Sequence, residues 1–231
     1  MLGKNSKSPD QMPSKSIVTH RLLPIILILG VMYVAEEYLP FGLSLKSDVP
    51  TLLAQPWSLL TYGFVHHSSV HIVTSILLLA LVAVYFQAPT RAFYTSFVAA
   101  ILVGGLVFVL VYGVLGEHVG ELTGASAGIC GLIPIVLFFD SGRMKSVDQK
   151  VVRSLVGVLV LGDAVYSISV KNPGFLAHVG GYLVGTIALL TAQKKHKEQI
   201  RKYNAIRKVE LSGYSSLTEE ERSIVSNSPK R

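Results

Sequence analysis

The sequence predicts an all-α polytopic membrane protein: a bundle of six transmembrane helices with a short fourth helix and both termini in the cytoplasm. Three observations carry this reading. Half of the 231 residues are hydrophobic and only 15% are charged, against roughly 25% charged in an average soluble domain, and the mean hydropathy is +0.51. Six apolar stretches succeed one another, each close to the length that a bilayer core requires. Fourteen of the 21 Lys/Arg lie in residues 1–21 and 192–231, and the apolar middle holds the remaining seven. A soluble globule, a disordered chain and a disulfide-stapled module are poor fits. The lone Cys130 has no cysteine with which to form an internal disulfide or share a zinc site. The net charge of +7 sits in the tails rather than on one binding face, so no nucleic-acid partner is expected. No cofactor and no metal are expected either.

The six stretches are 22–39, 70–87, 92–115, 124–139, 151–168 and 175–192. Residues 1–21 form a polar leader without the compact apolar core and small-residue cleavage site of a signal peptide, so the first stretch is expected to remain as a helix. The fourth is short for a crossing. Charges alternate from loop to loop. Lys4, Lys7, Lys15 and Arg21 precede span one, Arg91 follows span two, and Arg143, Lys145, Lys150 and Arg153 follow span four. The intervening loops hold only Lys46, none, and Lys171. The positive-inside rule then puts both ends in the cytoplasm. The expected organisation is a leader at 1–21, a membrane domain at 22–192 and a basic, then charge-mixed, tail at 193–231. The tail reads as a topology anchor or as a contact for anionic lipid.

Each ionisable group inside a span needs a reason, because it costs about 2.5–3.5 kcal/mol at the bilayer centre. The spans hold Glu36, Glu37, His71, Asp163 and His178. Glu36 and Glu37 fit a solvated helix end, and Asp163 either faces a watery cavity or pairs with a neighbour. His71 and His178 each lie about one turn inside the outer end of their span. Ser126, in GASAG at residues 124–128, starts span four at the same level. Its small neighbours Gly124, Ala125, Ala127 and Gly128 permit close backbone approach. A helix start also offers free N–H groups to a developing oxyanion. Serine is a weak nucleophile until a base takes its proton, and a neutral imidazole is the usual base. His178 is that candidate. Gly181 and Gly185, at small-xxx-small spacing, allow span six to cross another helix closely. GxSxG alone occurs often by chance, and the α/β-hydrolase elbow needs a preceding strand that is absent here. HVGG alone fits helix packing. The two at matched depth favour catalysis.

With PWSLLTYGFVHHSSVHIVTS (residues 56–75), GASAG and AHVGGYLVG (residues 177–185), residues 22–192 resemble the rhomboid intramembrane serine proteases. The resemblance implies Ser126 as nucleophile and His178 as general base, in a dyad that needs no acidic third member. It implies His71, and Ser75 where the family has asparagine, as oxyanion donors. His66 and Gly124 are implied site supports, with Gly181 and Gly185 as helix-packing residues. Other departures are Ser58 after Trp57 in place of arginine, Ala127 in place of glycine, and Cys130 where an aromatic ring commonly stacks on the histidine. His67 has no counterpart role.

The implied activity is serine-type endopeptidase cleavage of transmembrane segments near the outer face of the bilayer. Substrate would arrive laterally, with span five as the gate by resemblance, and water would reach the acyl-enzyme past His66. The expected partners are transmembrane protein substrates and membrane lipid, and the expected location is a bacterial inner membrane. Two other readings stand beside this one. An inactive rhomboid-like protein that binds transmembrane clients is kept alive by Ser75. A small transporter or channel would need polar groups along a whole path, whereas these cluster on one side.

Overall fold

The computed structural model describes residues 15–226 apart from 40–41, 87, 89, 117–118, 141–145 and 170–171. Ten helices and two very short strands occupy those residues: α1 Lys15–Tyr38, β1 Leu45–Lys46, α2 Val49–Ala54, α3 Ser58–Thr61, α4 Ser69–Tyr85, α5 Thr90–Leu115, β2 Glu121–Leu122, α6 Ser126–Cys130, α7 Ile133–Phe138, α8 Ser146–Ser169, α9 Phe175–Ser212 and α10 Glu219–Ser226. A 3₁₀ turn at Tyr62–Phe64 continues α3.

Among the described residues, α1, α5, α8 and α9 each contain a window long and apolar enough to cross a membrane. A fifth candidate is the pair Ser58–Phe64 and Ser69–Tyr85, bent by 88° at the break between them. Ser126–Phe138 is apolar but shorter. Each of the six expected stretches contains helix among its described residues, though not all are of crossing length. α1 begins at Lys15, so the end of the expected polar leader is helix. α9 runs on past the apolar stretch to Ser212.

The chain divides into two compact units after Leu189, within α9. In the first, α5 is the spine. Its buried Phe93, Phe97, Ala100, Ile101, Gly104 and Phe108 recur at helical spacing on one face. α6 packs on that face, with Gly128 against the Phe97 ring and Gly131 against Ala100 and the Ser96 carbonyl. At the far end of α4, the buried Arg21 of α1 donates to the carbonyls of Phe86 and Ala88, the latter at 3.0 Å, and its guanidinium lies 5.5 Å from the Phe86 ring centroid. A cation there satisfies carbonyls that the helix end leaves bare.

In the second unit, Gly213 turns the chain at φ +78° and α10 follows. Thr218 and Glu221 form a reciprocal cap: the Thr218 amide donates to Glu221 Oε2 (2.8 Å) and the Glu221 amide to Thr218 Oγ1 (3.3 Å). Lys208–Glu221 (2.8 Å) and Arg201–Glu220 (3.0 Å) tie α10 to the helix before it. The charge-mixed tail therefore contains an ordered helix.

Candidate active site

The loop leading to Ser126 is held from three sides. β2 pairs antiparallel with β1, Leu45 opposite Leu122 and Lys46 opposite Glu121. Glu121 takes a hydrogen bond from Ser44 and lies 3.8 Å from Lys46 Nζ. The Gly124 amide donates to the Tyr62 carbonyl at 2.9 Å. This loop has no arginine after Trp57. Instead, Trp57 Nε1 donates to the Gly42 carbonyl (3.1 Å), Thr61 Oγ1 to the Leu43 carbonyl (2.7 Å), and Ser58 Oγ to the Gln55 carbonyl (2.7 Å).

Gly124 has φ +106°, a conformation that favours glycine, and an added Cβ would lie 2.7 Å from His71 Nε2. That contact puts the His71 imidazole beside the chain two residues before Ser126. His71 is itself fixed by the start of α4, where Ser68 caps the helix and accepts the His71 amide at 3.2 Å. Ser126 is the first residue of α6, so its N–H precedes the first intrahelical bond.

α9 brings His178 to Ser126 because two surfaces meet without side chains between them. An added Cβ on Gly181 would strike the Ala127 carbonyl oxygen, and one on Gly185 would come within 2.6 Å of the Gly131 carbonyl oxygen. His178 Nε2 lies 2.8 Å from Ser126 Oγ. On the other side of the ring, His178 Nδ1 lies 2.9 Å from Asp163 Oδ2 on α8. A carboxylate only accepts, so Nδ1 carries the proton and the Nε2 lone pair receives the Ser126 hydroxyl. His178 is buried, and the Asp163 side chain is 38% exposed.

The other site residues form a second cluster. His66 is buried, its Nδ1 lies 3.4 Å from the Phe64 carbonyl and its Nε2 3.1 Å from Ser75 Oγ. The roles follow the ring's tautomer: with the proton on Nδ1 the Ser75 hydroxyl donates to Nε2, and with the proton on Nε2 the hydroxyl accepts and keeps its own proton. The His66 and His71 rings meet edge-on, with centroids 4.7 Å apart. Ser75 thus anchors the imidazole beside His71, and with the His66 proton on Nδ1 an oxyanion role for Ser75 requires its hydroxyl to leave His66. His67 faces Glu36 at 3.3 Å. Both line, with Tyr33, Val34, Tyr38 and His66, an open cavity of about 330 Å³. The Glu37 side chain lies outside the described residues. Among the described residues no cluster of His, Cys, Asp and Glu could hold a metal ion.

The sequence leaves Asp163 between a watery cavity and an unnamed neighbour, and the structure gives it His178 as partner. A signal for it exists in the spacing: Val152, Val156 and Ser167 are the buried positions of α8 nearest Asp163, and 152, 156, 163 and 167 fall on one helix face.

Against models of known families, residues 53–195, more than half of the chain, match the Rhomboid domain. The chain belongs to the rhomboid family. No curated protein matches it. Family and long apolar helices together make this rhomboid an integral membrane protein. The match covers Ser126, His178, His71, Ser75, His66, Gly124, Gly181, Gly185 and Asp163, and leaves out all of α1.

Proposed function

We propose that this rhomboid is an intramembrane serine endopeptidase that cleaves transmembrane segments of membrane proteins near the outer face of the bilayer. The observation that carries the reading is the 2.8 Å approach of Ser126 Oγ to His178 Nε2. In the proposed reaction Ser126 Oγ attacks the scissile carbonyl carbon as its proton passes to His178 Nε2. The oxyanion forms against the Ser126 N–H and the His71 imidazole. His178 then returns the proton to the leaving amine as the C–N bond breaks, and water hydrolyses the ester with His178 again as base. The topology that fits is six membrane segments, the fourth short and surrounded by protein, with both termini cytoplasmic by the charge of the loops. A bacterial inner membrane is the location we infer, and transmembrane protein substrates and lipid are the partners.

A second reading has its own support. With Ser75 bonded to His66 at 3.1 Å, the oxyanion has one side-chain donor fewer, and loss of one such donor costs about 2.7–4 kcal/mol in a soluble serine protease. That favours a client-binding relative with little turnover. Purified protein in detergent, treated with a fluorophosphonate or isocoumarin probe beside Ser126→Ala and His178→Ala, separates the two. The protease reading expects labelling that both substitutions abolish and, in vesicles, cleavage of a transmembrane substrate that both abolish. A folded wild type that binds the segment but neither labels nor cleaves moves the conclusion to the pseudoprotease.

A further inference from the structure

We infer that Asp163 is the positioning residue of the site, converting the Ser126–His178 pair into a three-member arrangement whose acidic member comes from α8. The inference rests on the protease reading and goes beyond it by assigning what holds the base. Three observations meet on this carboxylate. Its Oδ2 is 2.9 Å from His178 Nδ1 on the side of the ring away from Ser126, so one imidazole bridges two oxygens. Its position on α8 belongs to the inward row with Val156 and Ser167, and an acid on that row is bonded to the ring that lies against Ser126 Oγ. The third observation is what Cys130 leaves undone. Cys130 carries no ring that could stack on His178, and the Asp163 carboxylate is the group bonded to the ring edge away from Ser126.

Asp163 takes no proton in this scheme. It accepts the Nδ1–H bond throughout, which keeps Nε2 free in the resting enzyme and stabilises the imidazolium while His178 holds the Ser126 proton. An asparagine at 163 keeps the size but can turn its amide N–H₂ toward Nδ1, which puts the ring proton on Nε2, where it blocks the nucleophile.

The test uses the full-length protein in detergent and in vesicles, as wild type, Asp163→Asn, Asp163→Ala, Asp163→Glu and Ser126→Ala. Cleavage of a transmembrane substrate is expected to lose kcat by about 10²–10⁴-fold in Asp163→Asn, the span that positioned general-base catalysis contributes, with KM and unfolding temperature little changed. Asp163→Glu is expected to recover part of that loss. Nitrogen-15 histidine spectra give a readout independent of turnover. Wild type and Ser126→Ala should show His178 protonated at Nδ1 with a low-field proton, and Asp163→Asn and Asp163→Ala should lose that signal. If Asp163→Asn keeps wild-type kcat, or the signal persists without the carboxylate, the positioning role is overturned. If wild type is inactive yet shows the signal and loses it in Asp163→Asn, the protease reading fails while the assigned contact stands.

Discussion

The crossing of α9 over α6 and the course of α8 beside them hold the same imidazole by opposite means. Along α9 backbone meets backbone: Gly180 would place a Cβ 2.7 Å from the Gly104 Cα, and Gly181 and Gly185 rest on the carbonyls of Ala127 and Gly131. Along α8, Gly157 and Gly162 have nothing within 4 Å of where a Cβ would lie, and Val158, Leu161, Val165 and Ile168 are exposed. The first arrangement fixes Ser126 and His178 through many short contacts, so their distance is set by the fold. The second delivers one polar group from a sparsely covered helix, so orientation rests on a hydrogen bond. Position and orientation of His178 are separable properties in this protein.

Substitutions at the glycines break the comparison most strongly. Gly181→Val should drive a branched side chain into the Ala127 carbonyl and Cys130, lowering stability by about 1–3 kcal/mol or more. It should also pull His178 from Ser126, read as a lower unfolding temperature and loss of fluorophosphonate labelling. Ser75→Ala leaves the buried His66 Nε2 without its partner and should cost about 1–3 kcal/mol. Its labelling should fall much less than that of His178→Ala, because His66 acts through His71. Gly162→Ala, on the open side of α8, should instead stabilise by about 0.5–1 kcal/mol through helix propensity alone, with cleavage unchanged. If the two glycine substitutions had the same sign, the contrast between the helices would be lost.

The smallest effect belongs to the tail. The Lys208 ammonium, bonded to Glu221, holds that carboxyl below its ordinary range. Because the folded value is depressed, the contribution is present above the ordinary carboxylate range and fades as pH falls through the lowered value. Amide exchange in α10, corrected for its intrinsic rate, should speed up in acid, and Glu221→Gln should remove that dependence.

Much of this architecture can be read from the chain, and the reason is the solvent. A bilayer demands apolar runs, so α1, α4, α5, α8 and the start of α9 announce themselves through composition, and the short Ser126–Phe138 stretch through its length. The Ser126–His178 pair is legible because its surroundings are glycine-rich and of matched depth. What composition does not carry is side-chain choice of partner. Ser75 stands at the spacing for an oxyanion donor, and its hydroxyl also lies 3.1 Å from His66 Nε2, a partner the spacing does not name. Asp163 and His178 belong to different helices, and only the rotation of α8 about its axis brings them together. The small pieces β1, α2, α3 and β2 are too short to leave a periodic trace. Asp48, which accepts the Thr51 amide at 2.7 Å, is the cue to α2.

The Arg21 clamp bears on where this domain can be cut. The Rhomboid match begins at residue 53, yet a side chain more than thirty positions earlier covers the carbonyls of Phe86 and Ala88. A fragment trimmed to the matched segment would lose the guanidinium that covers those oxygens beside the end of α4. It would also lose the hydrogen bond from Tyr94 to the His20 carbonyl, at 2.7 Å. The smallest excisable piece of this protein therefore starts at α1, ahead of the boundary at which family likeness begins.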